Sequence, residues 1–206
     1  MTVQNLVRTS RDGDQFHYLW AARQCLKLIQ PNTDLVAISI EGSAINETDG
    51  NTTSGEELID VAEYCGDINS AKATGIIYSQ LKHSTVQIHK VWTPSELKHT
   101  IEGFYHKYKN IKKTSDNVAS KIRFQFISNR PMHAAFELVK NQISNGEPVT
   151  DQANLNKWLE FTGEKTPSDI QEFCQIFEFK CNESYFTEQK IALHQELRSY
   201  LPDIDC

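Results

Sequence analysis

Two stretches decide how this chain folds: Glu57-Leu58-Ile59-Asp60-Val61, and Tyr78-Ser79-Gln80-Leu81-Lys82-His83 further on. Each lies in a run with the short apolar, β-branched character of a strand, residues 57–65 and 74–82. Side chains on a strand alternate between two faces. Asp60 therefore opposes Ile59 and Val61, and Gln80 and Lys82 oppose Ile77 and Leu81. Two positions apart on one face, Gln80 and Lys82 stand roughly 6 to 7 Å from each other. Upstream, Leu35-Val36-Ala37-Ile38-Ser39-Ile40-Glu41 alternates in the same way. Val36, Ile38 and Ile40 share a face and Glu41 lies on the other. The expectation is three strands, each burying one face and offering a polar group on the reverse.

Outward from these strands the pattern becomes helical. Phe16, Leu19, Trp20, Ala22, Leu26 and Ile29 recur at helical spacing over 14–30, with Asp12 or Asp14 as the cap. A polar run through Asn46 to Gly55 reads as a flexible loop, and Gly66 to Ser70 joins two strands in the manner of a hairpin. Thr93-Pro94-Ser95-Glu96 carries the signals of a helix start: a capping Thr, Pro at the first helical position and Glu three residues after the cap. A helix follows over 94–110. Lys121 to Ile127 alternates as a fourth strand, and Ser128-Asn129-Arg130-Pro131 opens another helix through Val139 and Ile143. The order is α, β, β, β, α, β, within a core of about 10–145. The remainder, 146–206, is a mainly helical extension. It has helices at 153–162, after Thr166-Pro167-Ser168-Asp169 and at 187–200, with a short strand at Ile176 to Phe179. The whole chain, 1–206, reads as one folding unit of the α/β class, without internal repeat, P-loop or dinucleotide fingerprint.

Composition narrows the class. With 39% hydrophobic and 23% charged residues the chain belongs among ordinary globular proteins. No run approaches eighteen apolar residues, and Met1-Thr2-Val3-Gln4-Asn5 lacks the basic end and apolar stretch of a secretory signal, so the expectation is a cytoplasmic protein away from membranes. Five cysteines without C-x-x-C spacing argue against a disulfide framework or a thiolate zinc site and read as free, mostly buried thiols. The net charge of −6 conceals an uneven distribution. Residues 71–130 hold nine Lys and two Arg against Glu96, Glu102 and Asp116, a local charge of +8, and the rest carries −14. A basic surface within an acidic protein can steer a polyanion. A solvated lysine-rich helix has the same composition, so charge permits nucleic acid without requiring it.

The polar reverse faces carry the chemistry. A partly buried carboxylate flanked by Ile and Val needs a partner. A divalent cation or Lys82 would supply it. Phosphodiester hydrolysis requires this set of parts: oxygen ligands for a hard cation, which polarises the phosphoryl group and activates a water, and an ammonium that offsets developing charge. The spacing of Asp60 and Gln80-Leu81-Lys82 is not specific by itself. Its meaning comes from the strand order around it.

In that context the chain resembles the PD-(D/E)xK, restriction-endonuclease-like superfamily, whose shared core has the same α-β-β-β-α-β order. The stretches Asp14-Gln15-Phe16-His17-Tyr18-Leu19-Trp20-Ala21-Ala22, Ile38-Ser39-Ile40-Glu41-Gly42, Glu57 to Val61, Tyr78 to His83 and Phe126-Ile127-Ser128-Asn129-Arg130-Pro131 are similar to the double-stranded DNA endonuclease domain of bacterial anti-phage effectors. There the domain is fused to a cyclic-oligonucleotide-sensing SAVED domain or a STAND NTPase. The similarity covers roughly residues 10–130. It implies a mixed sheet flanked by helices and cleavage of duplex DNA dependent on Mg²⁺, with Mn²⁺ as a substitute. Asp60 and Gln80 would be metal ligands and Lys82 the catalytic lysine. It also implies a sensor partner and activation by oligomerisation. Gln80 departs from the superfamily's usual acid and removes one negative charge from the site, which Glu41 would restore as a third ligand. The alternative is the same fold with a degenerate metal site that grips DNA or another protein without cutting.

Other residues carry two readings each. Asp14 and His17, on the first helix, are secondary site candidates or structural groups. His83 contacts phosphate or nothing. Lys107, Lys109, Lys112 and Lys113, near Tyr105 and Tyr108, ride a DNA backbone or form a solvated face. Trp20, Trp92 and Trp158 read as core or capping aromatics.

Overall fold

The computed structural model describes residues 3–43 and 56–201, with side chains described over 14–43 and 57–201. The polar run read as a loop lies in the interval outside these residues, as does Cys206. A five-stranded mixed sheet runs in the order β1 (Leu35–Ile40), β2 (Val61–Cys65), β3 (Gly75–Lys82), β4 (Ile122–Ser128) and β5 (Phe177–Lys180). The first three strands are antiparallel neighbours, and β4 and β5 continue parallel to β3. Parallel neighbours need a crossover. The helix α2 (Pro94–Thr114), with the short α3 (Asp116–Ala119), supplies the first. The helices α4 (Ala134–Asn145), α5 (Gln152–Thr162) and α6 (Pro167–Ile176) supply the second.

Local sequence explains the joints. The β2–β3 turn hinges on Gly66 at φ +74°, where a Cβ would come within 2.8 Å of Thr74 Cγ2. The start of α2 is the capping box read from sequence: Glu96 accepts from both the N–H and the hydroxyl of Thr93. Thr166 and Asp169 repeat the device on α6.

The first helix begins earlier than its apolar spacing suggests. α1 runs over Val3–Leu26 and ends in a 3₁₀ turn, Lys27–Ile29, so positions 12 and 14 lie inside the helix rather than at its start. The second strand is shorter than 57–65. Residues Glu56–Leu58 form a 3₁₀ turn and Asp60 sits in a bend ahead of β2. Leu58, in that turn, and Ile59, just after it, are buried in the core, and an apolar run of this length cannot distinguish a turn from a strand.

One face of the sheet packs against α2 and α4 to α6 in an aromatic core. Phe104 lies against Phe124 at 4.9 Å, Phe136 stacks on Trp158 at 4.8 Å, and Phe173 stacks on Phe177 at 5.5 Å. The stretch beyond 146 is thus built into the same core. It contributes a strand and two of the helices that bury the sheet. The other face receives α1, whose Phe16, Trp20 and Ala21 meet Val61, Leu81 and Ile127, and α7 (Phe186–Tyr200) packs on α1. Arg23 joins these helices by donating to Glu196 and Gln189.

Two expectations about exposure change. The face of Val36, Ile38 and Ile40 is only partly covered: β1 is an edge strand, and Val36 and Ile40 remain about half exposed, at 48% and 46%. β3, in contrast, is central and buried on both faces, including Ser79 and Gln80. Among the four described cysteines only Cys174 is fully buried, the others being half-buried, and all four are free. No helix among the described residues is long and apolar enough to cross a membrane.

Candidate functional site

The polar residues singled out in the sequence gather where β1 and β3 end and β2 begins. Asp60 is stitched to both neighbouring strands. Its carbonyl accepts from the Glu41 N–H at 2.8 Å, and its own N–H donates to Ser79 O at 2.9 Å. Its side chain returns to β3, where Oδ2 accepts from the Leu81 N–H at 2.6 Å. Two hydrogen bonds therefore tie Asp60 to the residues on either side of Gln80. Burial pushes the Asp60 carboxyl above its ordinary range. The Leu81 N–H, His17 and Lys82 pull against that rise, while Glu41 adds to it.

Asp60 and Glu41 line a pocket of about 80 Å³ with Ile40, Val61 and three residues of α1: Asp14, His17 and Tyr18. Positions 14, 17 and 18 are neighbours on one helix face, so a single turn of α1 forms that wall. Glu41 lies at φ +60°, a left-handed conformation that few residues other than glycine adopt. Holding it there costs of order 1 kcal/mol or more. The strain turns the chain out of β1 and brings the Glu41 side chain beside the helix. Tyr18 donates its hydroxyl to Glu41 Oε1 at 3.2 Å.

Gln80 and Lys82 share a face of β3, as their spacing predicts, but their surroundings differ. Gln80 is 2% exposed, and its Oε1 accepts from the Thr100 hydroxyl on α2 at 2.5 Å. Lys82 is exposed at the strand end, within electrostatic reach of Asp60.

The remaining candidates lie elsewhere. His83 is held among the rings of Phe16, Tyr185 and Phe186, on the α1–α7 side, at 4.7, 5.1 and 6.2 Å. The lysines of α2 do not form one row. Lys107 is buried, with its Nζ 4.7 Å from the Tyr78 ring centre and donating to Ser43 Oγ at 3.2 Å. Lys109 pairs with Glu164 at 3.1 Å, and Lys112 pairs with Glu172. Lys113 is exposed at the helix end. The tryptophans fill packing roles. Trp20 and Trp158 are buried, and Trp92 donates to Ser128 Oγ under the guanidinium of Arg130.

Sequence reasoning missed two partners. Tyr18 was findable, because it follows His17 on a helix and stands four positions after Asp14. Thr100 carried no signal, since its role depends on how α2 docks over β3.

No three His, Cys, Asp or Glu side chains among the described residues stand together in a way that could hold a metal ion. Zinc-like coordination is therefore a poor fit to this donor set. Mg²⁺ makes a smaller demand, because it retains several waters and is held by one or two carboxylates with phosphate oxygens. Asp60 and Glu41, facing one small pocket, fit that mode. A cation there would also compensate the buried Asp60 charge. Compared with known proteins, the chain matches no family model and no curated sequence.

Proposed function

We propose that this chain is a metal-dependent endonuclease that hydrolyses double-stranded DNA, with a restriction-endonuclease-like fold. The observation that carries the reading is the attachment of Asp60 to β3 on both sides of Gln80, with Glu41 beside it and Lys82 free at the strand end. The element order α1-β1-β2-β3-α2-β4 within a mixed sheet supports it as well. The roles of anti-phage effector, sensor partner and activation by clustering rest on the sequence resemblance alone.

In this reading Asp60 and Glu41 hold Mg²⁺ or Mn²⁺ together with waters. Gln80, beneath α2 with its oxygen accepting from Thr100, does not line this pocket, and in this reading it supports the site from β3 rather than holding the ion. The bound cation supplies phosphoryl polarisation and a more acidic water. Lys82 offsets the negative charge that develops on the phosphate during attack, and its exposure leaves it free to reach the phosphate. Asp14 and His17 line the approach. Lys113 is the α2 lysine with the fewest ties to the protein, and it is best able to meet a DNA backbone.

One observation favours a second reading. The residue in the usual acidic position is neutral and already engaged by Thr100, which suits a domain that binds DNA without cutting it. Plasmid degradation separates the two. The endonuclease cuts in Mg²⁺ or Mn²⁺, and Lys82→Ala lowers the rate about 100-fold or more while DNA retention persists. Wild-type protein that retains DNA but leaves it intact in both metals establishes the binding module. Undiminished cutting by Lys82→Ala removes the catalytic role assigned here.

A further inference from the structure

The rim of the pocket contains a residue outside the motif reading. We infer that Tyr18 is a positioning residue: its hydroxyl holds the Glu41 carboxylate against α1, so that the pair of Glu41 and Asp60 is arranged before a cation arrives. This rests on the metal-dependent reading of the same pocket.

Three observations on different elements converge on Tyr18. The hydroxyl reaches Glu41 Oε1 at 3.2 Å across a sequence separation of 23 residues, so the contact is tertiary. Tyr18 is 55% exposed, which leaves little packing to explain its placement, and the hydrogen bond is its described tie to the site. Glu41 sits in a left-handed backbone conformation at the end of an edge strand, with Gly42 following at φ +132°. Such a residue lacks the regular neighbours that fix side chains inside a sheet. A glutamate with free rotamers must lose that freedom on binding a cation. A hydroxyl that restrains one carboxylate oxygen beforehand reduces the loss and leaves the other oxygen open.

Nothing else in the wall takes this place. Asp14 is a carboxylate with no proton to donate, and His17 makes no hydrogen bond to Glu41. The carboxylate raises the phenol above its ordinary range, chiefly through the hydrogen bond and next through its charge. The contact therefore has a spectroscopic signature in the protein alone.

The test combines Tyr18→Phe, Glu41→Gln and the double variant, all full length. Mn²⁺ binding is read by electron paramagnetic resonance, and tyrosine titration by NMR of ring-labelled protein. Tyr18→Phe is expected to weaken Mn²⁺ binding about three- to tenfold, and to add nothing once Glu41 is Gln. In Glu41→Gln the Tyr18 phenol titrates at a lower pH than in wild type. Unchanged Mn²⁺ affinity in Tyr18→Phe overturns the inference, as does an equal loss in the Glu41→Gln background. If wild-type protein binds no Mn²⁺, the metal-dependent reading itself fails. The positioning of Glu41 is then decided by the titration, and an unmoved Tyr18 in Glu41→Gln overturns it.

Discussion

Asp60 and Gln80 are neighbours across two strands, yet they occupy opposite kinds of environment. Gln80 lies beneath α2, nearly inaccessible, with its oxygen matched to a hydroxyl from the helix that covers it. Asp60 faces the pocket at the foot of α1, with one oxygen bound to a backbone N–H and its charge only partly compensated. Beneath α2 the polar group is satisfied by the fold. In the pocket the carboxylate keeps one hydrogen bond and a proton affinity raised by burial. The second environment is the one that the proposed cation site draws on.

The contrast breaks most visibly at Thr100. Thr100→Val keeps the shape but leaves the Gln80 oxygen without its donor, which should destabilise the fold by about 1 to 3 kcal/mol. In a chain of this size that lowers Tm by about 2 to 4 °C per kcal/mol in thermal unfolding. Mn²⁺ affinity should change far less than in Asp60→Asn. An equal loss in both variants would abolish the distinction between a structural and a ligand-facing group.

Asp60→Asn sharpens the other side. Because burial raises the Asp60 carboxyl in the folded state, the native protein holds that proton more tightly than the unfolded chain does. Ionisation then works against folding as pH rises from the unfolded value through the folded one. Asp60→Asn removes that opposition. The variant should melt above wild type at pH 7, with the gain fading as pH falls toward about 4. It should also lose cation affinity. A melting difference independent of pH would show that the Asp60 charge is not what burial penalises.

The smallest effect is expected at Lys109, whose ammonium is already paired with Glu164. Lys109→Ala should alter stability by less than about 1 kcal/mol. The salt dependence of DNA retention should keep its slope. A slope reduced by about one phosphate would mean that this lysine turns outward to the duplex.

Much of this arrangement was legible in the residues, for physical reasons that differ from element to element. Runs rich in apolar and β-branched residues reveal β3 and β4 because both are central strands with packing on either face. The start of α2 is legible because Thr93, Pro94 and Glu96 satisfy the helix end locally. The start of α1 was misplaced because the polar run Arg8 to Gly13 interrupts the apolar spacing between Val7 and Phe16. Asp60 was assigned to a strand interior, whereas it sits in a bend, because Leu58 and Ile59 have the apolar character of a strand while packing from a helical turn. In the site, strand spacing brought Gln80 and Lys82 to one face. It could not show that α2 covers the first and leaves the second open, nor that Tyr18 meets Glu41. Those depend on how helices dock, which no local pattern encodes.

The edge position of β1 gives the two carboxylates unequal footing. Asp60 is bonded to β3, which has strands on both sides and aromatic rings beneath it, so its displacement requires opening the main core. Glu41 directly follows a strand paired on one side only, with half-exposed Val36 and Ile40. Proteins open in pieces, and the least-secured piece opens first. The distance between the two acids is therefore governed by an edge ladder of the sheet. β1 can fray and dissolve the pair while the rest of the molecule stays folded.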